Sequence, residues 1–210
     1  TREDSVDFTH DTHDTEIGLA KSIYQTVRAD LDAVGFHALS VCISGDPETP
    51  RYSGTFAKTS RGRPSKFVVA LSKQQLVGKI SALKSDDWVP YIIATTGSGS
   101  DAVYAAEFHK RGVDGRLKQP IVKFDMSLGD FEDENEAQRK AGRLPIWADC
   151  AEGCYCAIYA ENNNSTAWTV ETEEDFEDAD KRFSALSTNW VRADLVAYES
   201  DDSVMRLYTD

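Results

Sequence analysis

The sequence predicts an α+β fold of four tandem helix–β-hairpin units. Three observations predict it. Aromatic, small and aromatic residues alternate in Tyr52-Ser53-Gly54-Thr55-Phe56, Tyr104-Ala105-Ala106-Glu107-Phe108 and Tyr155-Cys156-Ala157-Ile158-Tyr159. The tyrosines are 52 and then 51 residues apart, and a further step reaches Val204 in a degenerate copy where Arg206 replaces the small residue. A second apolar stretch and a Gly/Asp/Ser turn precede each copy.

Alternation places the two rings and the small residue on one strand face, where the small residue admits a bulky neighbour. The preceding stretches begin at Phe36, Trp88, Arg143 and Trp190. Gly45-Asp46-Pro47, Gly97-Ser98-Gly99-Ser100, Ala151-Glu152-Gly153 and Ser200-Asp201-Asp202 join the two halves. β-prone runs around such turns read as hairpins.

A helical pattern precedes each hairpin. In the first, Ile17, Leu19, Ala20, Ile23, Tyr24, Val27, Leu31 and Val34 recur at spacings of three and four, with Gly35 as the cap. Ser72 caps a second helix through Leu76, Ile80 and Leu83. The third is expected over 128–141 and the fourth over 173–186. The resulting organisation is a polar tail over 1–15 and one repeat domain over 16–210, with units near 16–60, 72–112, 128–164 and 173–210. Such units bury their apolar faces only by stacking. The expected assembly is a pseudo-symmetric antiparallel β layer, or a closed barrel or ring, with the helices outside.

The Tyr-Ala-Ala-x-aromatic strand, the Trp- or Arg-Pro-type strand before it and the Phe/Tyr-bearing helix resemble the bacterial tandem repeat domain, from about Ile17 to the end. That domain also forms the N-terminal part of fungal polyglycine hydrolases. The resemblance implies an accessory module of secreted serine enzymes, whose chemistry lies in a separate β-lactamase-like domain. Within these 210 residues nothing corresponds to that catalytic domain.

A net charge of −13 argues against a nucleic-acid partner and an anionic membrane surface. No apolar run reaches the roughly 18 residues of a membrane helix. The chain begins at Thr1, as expected of a processed or trimmed product, with any signal peptide out of view. Cys42, Cys150, Cys154 and Cys156 are disulfide candidates, with a bridge across the third hairpin turn the easiest. Free thiols and metal ligation are the alternatives, although the spacing does not fit zinc. Asn163 and Asn164 begin overlapping glycosylation signals. All of this favours an extracellular protein.

Candidate chemistry is sparse. His10 and His13 read as part of a solvated tail, and Lys58 to Lys66 as a solvated basic connection in an acidic chain. Ser81-Ala82-Leu83-Lys84 fits a nucleophile pattern but lacks its partner motifs. The acidic runs from Asp130 and Glu171 suit helix starts and lack the spacing of a calcium loop. His37, Glu107 and His109, with Asp149, are the candidates for an acid–base site assembled between units. No metal or cofactor is expected. The preferred reading is a secreted non-catalytic module that binds a small molecule, polymer or protein. The alternative is a stand-alone enzyme centred on those four residues. Convergence of the four in one pocket favours the enzyme, and scatter favours binding.

Overall fold

The computed structural model describes residues 13–58, 64–111, 120–173, 191–198 and 204–209. Residues 1–12, most of the basic connection and the expected fourth helix lie outside them.

The first unit contains β1 (His13–Ala20), α1 (Lys21–Ala33), β2 (Phe36–Ser44) and β3 (Arg51–Lys58). The second contains β4 (Ser65–Leu71), α2 (Lys73–Lys84), β5 (Trp88–Thr96) and β6 (Val103–Lys110). The third contains β7 (Ile121–Met126), α3 (Leu128–Lys140), β8 (Arg143–Ala151) and β9 (Cys154–Glu161). β10 (Trp168–Glu173), β11 (Val191–Tyr198) and β12 (Val204–Thr209) follow. The hairpins and α1–α3 stand where the sequence places them, so the α+β class holds.

The unit differs from the expected one: a strand precedes each helix. Each sheet has three antiparallel strands with the last strand of its unit in the middle, in the orders β1-β3-β2, β4-β6-β5, β7-β9-β8 and β10-β12-β11. The leading strands were hidden because each is interrupted. Pairing shifts between Glu16 and Leu19, Val68 and Leu71, and Lys123 and Met126. At each shift one residue is left-handed: Gly18 (φ 66°), Ala70 (φ 54°) and Asp125 (φ 51°). A bulge breaks the two-residue period from which strands are read. It also left Ile17 and Leu19 free to mimic a helical stripe. Ile17, Ile23 and Val34 from that stripe are solvent-exposed.

α2 and α3 begin with capping boxes, Ser72 with Gln75 and Ser127 with Asp130. Each satisfies two amides that a helix start leaves unpaired.

The strands do not close into one barrel; they stay in separate sheets among the described residues. Units meet through the edge strands β2, β5, β8 and β11, which pack on one another without joining one ladder. β2 packs on β5, β5 on β8 and β8 on β11. The predicted aromatic face is buried throughout: Tyr52, Phe56, Tyr104, Ala106, Phe108, Tyr155, Ala157 and Tyr159 are each at most 3% exposed. Each core also takes residues from the next unit. Tyr24, Tyr52 and Phe56 pack with Val69, Ile92 and Ala105, and Leu76, Tyr104 and Phe108 pack with Cys156 and Ile158.

Candidate functional site

Superposing the units by strand pairing makes positions comparable. Tyr24, Leu76 and Phe131 each stand at the fourth residue of their helices. Tyr24 stacks on Tyr52 with ring centroids 5.4 Å apart, and Phe131 on Tyr155 at 4.8 Å. One turn further, Arg28 corresponds to Ile80 and Asn135.

Arg28 is completely buried. Its Nε donates to Glu107 Oε1 at 2.7 Å and its Nη2 to Glu107 Oε2 at 3.2 Å and to Ser65 Oγ at 2.6 Å. Ser65 Oγ in turn donates to Asp32 Oδ1 at 3.1 Å. The guanidinium lies 5.4 Å from the Phe67 ring centroid and 5.8 Å from that of Phe56. Burial pushes the Glu107 carboxyl above its ordinary value, and Arg28 pulls it back. Two unlike charges in a dry interface are held by their mutual hydrogen bonds. Glu107 therefore joins the first unit to the second.

His109 lies two residues along the same face of β6 and stacks on Tyr91 at 4.4 Å. His37 is buried on β2 opposite Ala57. Asp149 sits elsewhere, where three sheets approach. Its Oδ2 accepts the Thr95 N–H at 2.8 Å across the β5–β8 contact. Desolvation raises its pKa to about 7, against hydrogen bonds from the Thr95 and Cys150 amides that lower it. Its charge also contributes to raising the Cys42 and Cys156 thiols, after burial itself. Glu107 and Asp149 are thus committed to different partners at different unit boundaries.

None of the four cysteines is in a disulfide, so the expected bridge across the third turn is not formed. The register supplies the reason. Cys150 pairs with Tyr155 and so shares its face, whereas Cys154 and Cys156 point the other way. Cys150 lies in the core with Tyr155, and Cys156 in the neighbouring core with Ile158. Asn163 and Asn164 are exposed in the turn that precedes β10, while Asn162 braces that turn through Thr166. Ser81 is exposed on α2. No group of three or more His, Cys, Asp or Glu side chains among the described residues is arranged to hold a metal. No described helix is long and apolar enough to cross a membrane.

One cavity, of about 230 Å3, opens between α2, the start of β5 and β7. Val77, Ile80, Trp88, Pro90, Val122 and Phe124 form its walls. Lys84 and Arg111 stand at its edge, and the ammonium groups of Lys66 and Lys110 lie 4.6 and 5.2 Å from the Trp88 ring centroid. Sequence reasoning missed both this cavity and Arg28. The signal for Arg28 was a lone cation between Tyr24 and Leu31 on an apolar stripe.

Residues 14–59 match the family described as polyglycine hydrolase-like, structural repeat. The match covers the first unit, β1 through β3, in agreement with the resemblance read over the repeats. A search of curated proteins finds no match to the chain.

Proposed function

We propose that this chain is a non-catalytic repeat module that works outside the cell by binding a ligand. The observation that carries the reading is how the candidate acids are used: Glu107 is tied to Arg28, and Asp149 accepts the Thr95 amide. General acid–base catalysis needs a group within reach of substrate, and these two groups face other parts of the same protein. The strand order β10-β12-β11, identical to that of the preceding sheets, supports a fourth unit and an array of four. The match of residues 14–59 to a family described as a structural repeat also supports an accessory role.

The extracellular assignment rests on the exposed Asn163 and Asn164 signals. The cysteines, none of them in a disulfide, contribute nothing to it.

A direct test incubates the chain with a glycine-rich peptide, the substrate class suggested by the family's description, and follows cleavage by mass spectrometry. No cleavage is expected. Cleavage that Asp149→Asn or Glu107→Gln abolishes would overturn the reading in favour of an enzyme assembled between units.

A further inference from the structure

We propose that the cavity between α2, β5 and β7 is a binding site for a small apolar carboxylate. This proposal deepens the binding-module reading and rests on it.

One position differs between two unit boundaries. Between the first and second units, α1 faces β4, and the space is plugged by Arg28. Ser65, Asp32, Phe67 and Glu107 surround the plug. Between the second and third units, α2 faces β7, and pairing matches every one of those residues. Ile80 stands for Arg28 and Lys84 for Asp32. Val122, opposite Ile158, stands for Phe67, opposite Glu107. Pro120 stands for Ser65. The long cation is gone, both groups that held it are apolar, and the carboxylate at the rim has become an ammonium. What remains is an apolar hollow with cationic edges.

Side-chain bonds anchor β7 beside the hollow. Tyr104 Oη donates to Asp125 Oδ1 at 2.5 Å, and Lys73 Nζ pairs with Asp125 Oδ2 at 2.7 Å, fixing β7 against the second unit. The space is therefore held open by the units themselves rather than left by loose packing.

Size and charge select the ligand. An apolar cavity of about 150 Å3 accepts benzene. The space here, about 230 Å3, suits a body of roughly eight carbons by that comparison. Lys84 is exposed at the mouth. Arg111 Nε is buried and forms a long ion pair with Asp87 Oδ1 at 3.9 Å, beyond hydrogen-bond length, so its N–H makes no hydrogen bond among the described residues. A carboxylate head at the edge satisfies that N–H and meets Lys84, while the tail contacts Trp88, Val122 and Phe124. The local excess of cations stands out in a chain of net charge −13.

The experiment is calorimetric titration of the full chain with octanoate, and with 1-octanol and octylamine as neutral and cationic counterparts. Saturable octanoate binding, weakened by salt and stronger than that of either counterpart, is expected. Ile80→Arg, which restores the first boundary's plug, should abolish binding. Lys84→Glu, at an exposed position that leaves the fold intact, should weaken it by about fivefold or more. Circular dichroism checks that both variants fold. No octanoate binding, or octanol binding as tightly as octanoate, overturns the proposal. So does binding that survives both substitutions, although that outcome places a ligand elsewhere and leaves the module reading standing. Peptide cleavage would defeat the module reading independently of either titration.

Discussion

Asp149 is an acid whose buried environment changes its chemistry. Its pKa of about 7, against an ordinary 3.8, means that the folded protein favours the neutral carboxyl. A raised acid contributes stability that is complete below its unfolded pKa and is lost as pH rises through the folded one. Asp149→Asn keeps an acceptor for the Thr95 N–H and removes the titration. The variant and parent should melt together near about pH 4, and the variant should melt higher by about pH 8. Thermal melts across that range check it, and a constant difference would contradict it. The opposing trend from Asp125 and Glu134, whose pKa values are lowered, cancels because both proteins carry them. Burial separated Asp149 from Glu107 as well: both looked like candidates for one site, yet each serves a different boundary.

At the scale of elements, the contact of α1 with the second sheet combines a shared apolar core with one buried pair, Arg28–Glu107. Removing one partner strands the other charge away from water. Glu107→Ala should cost about 3–5 kcal/mol, and Arg28→Met with Glu107→Leu should recover most of that loss. Chemical denaturation measures both. If the single and double variants are equally unstable, the pair is not what joins these elements. The same element boundary, one unit on, carries Ile80 against Ile158 and needs no charge. The helix and hairpin elements were legible because turn residues bracket the hairpins and the aromatic strands β3, β6 and β9 alternate without a break, although β2, β5 and β8 each carry a bulge. The leading strands β1, β4 and β7 were not, since a bulge at Gly18, Ala70 and Asp125 splits each short run.

For the whole molecule, cores that belong to two units make the array interdependent. Residues 14–59 contribute Tyr24, Tyr52 and Phe56 to a core completed by Val69, Ile92, Ala94 and Ala105. Expressed alone, this segment should remain unfolded, because a single unit leaves its apolar face in water. Circular dichroism of the segment beside the full chain decides the point, and a cooperatively melting segment would refute it.

By itself the sequence determined the local and the periodic: the α+β class, the hairpins, the three described helices and the buried Tyr-x-small-x-aromatic face. These follow from side-chain spacing, which one chain displays in full. Tertiary structure alone decided which faces meet. It placed Arg28 on Glu107, 79 residues away, turned Cys150 from Cys154 and Cys156 through the strand register, and opened the cavity between α2 and β7. A spacing rule describes one element at a time. A buried charge pair and an unfilled space each depend on two elements that the sequence lists far apart and only packing brings together, whereas the absent disulfide depends on the register of two adjacent strands.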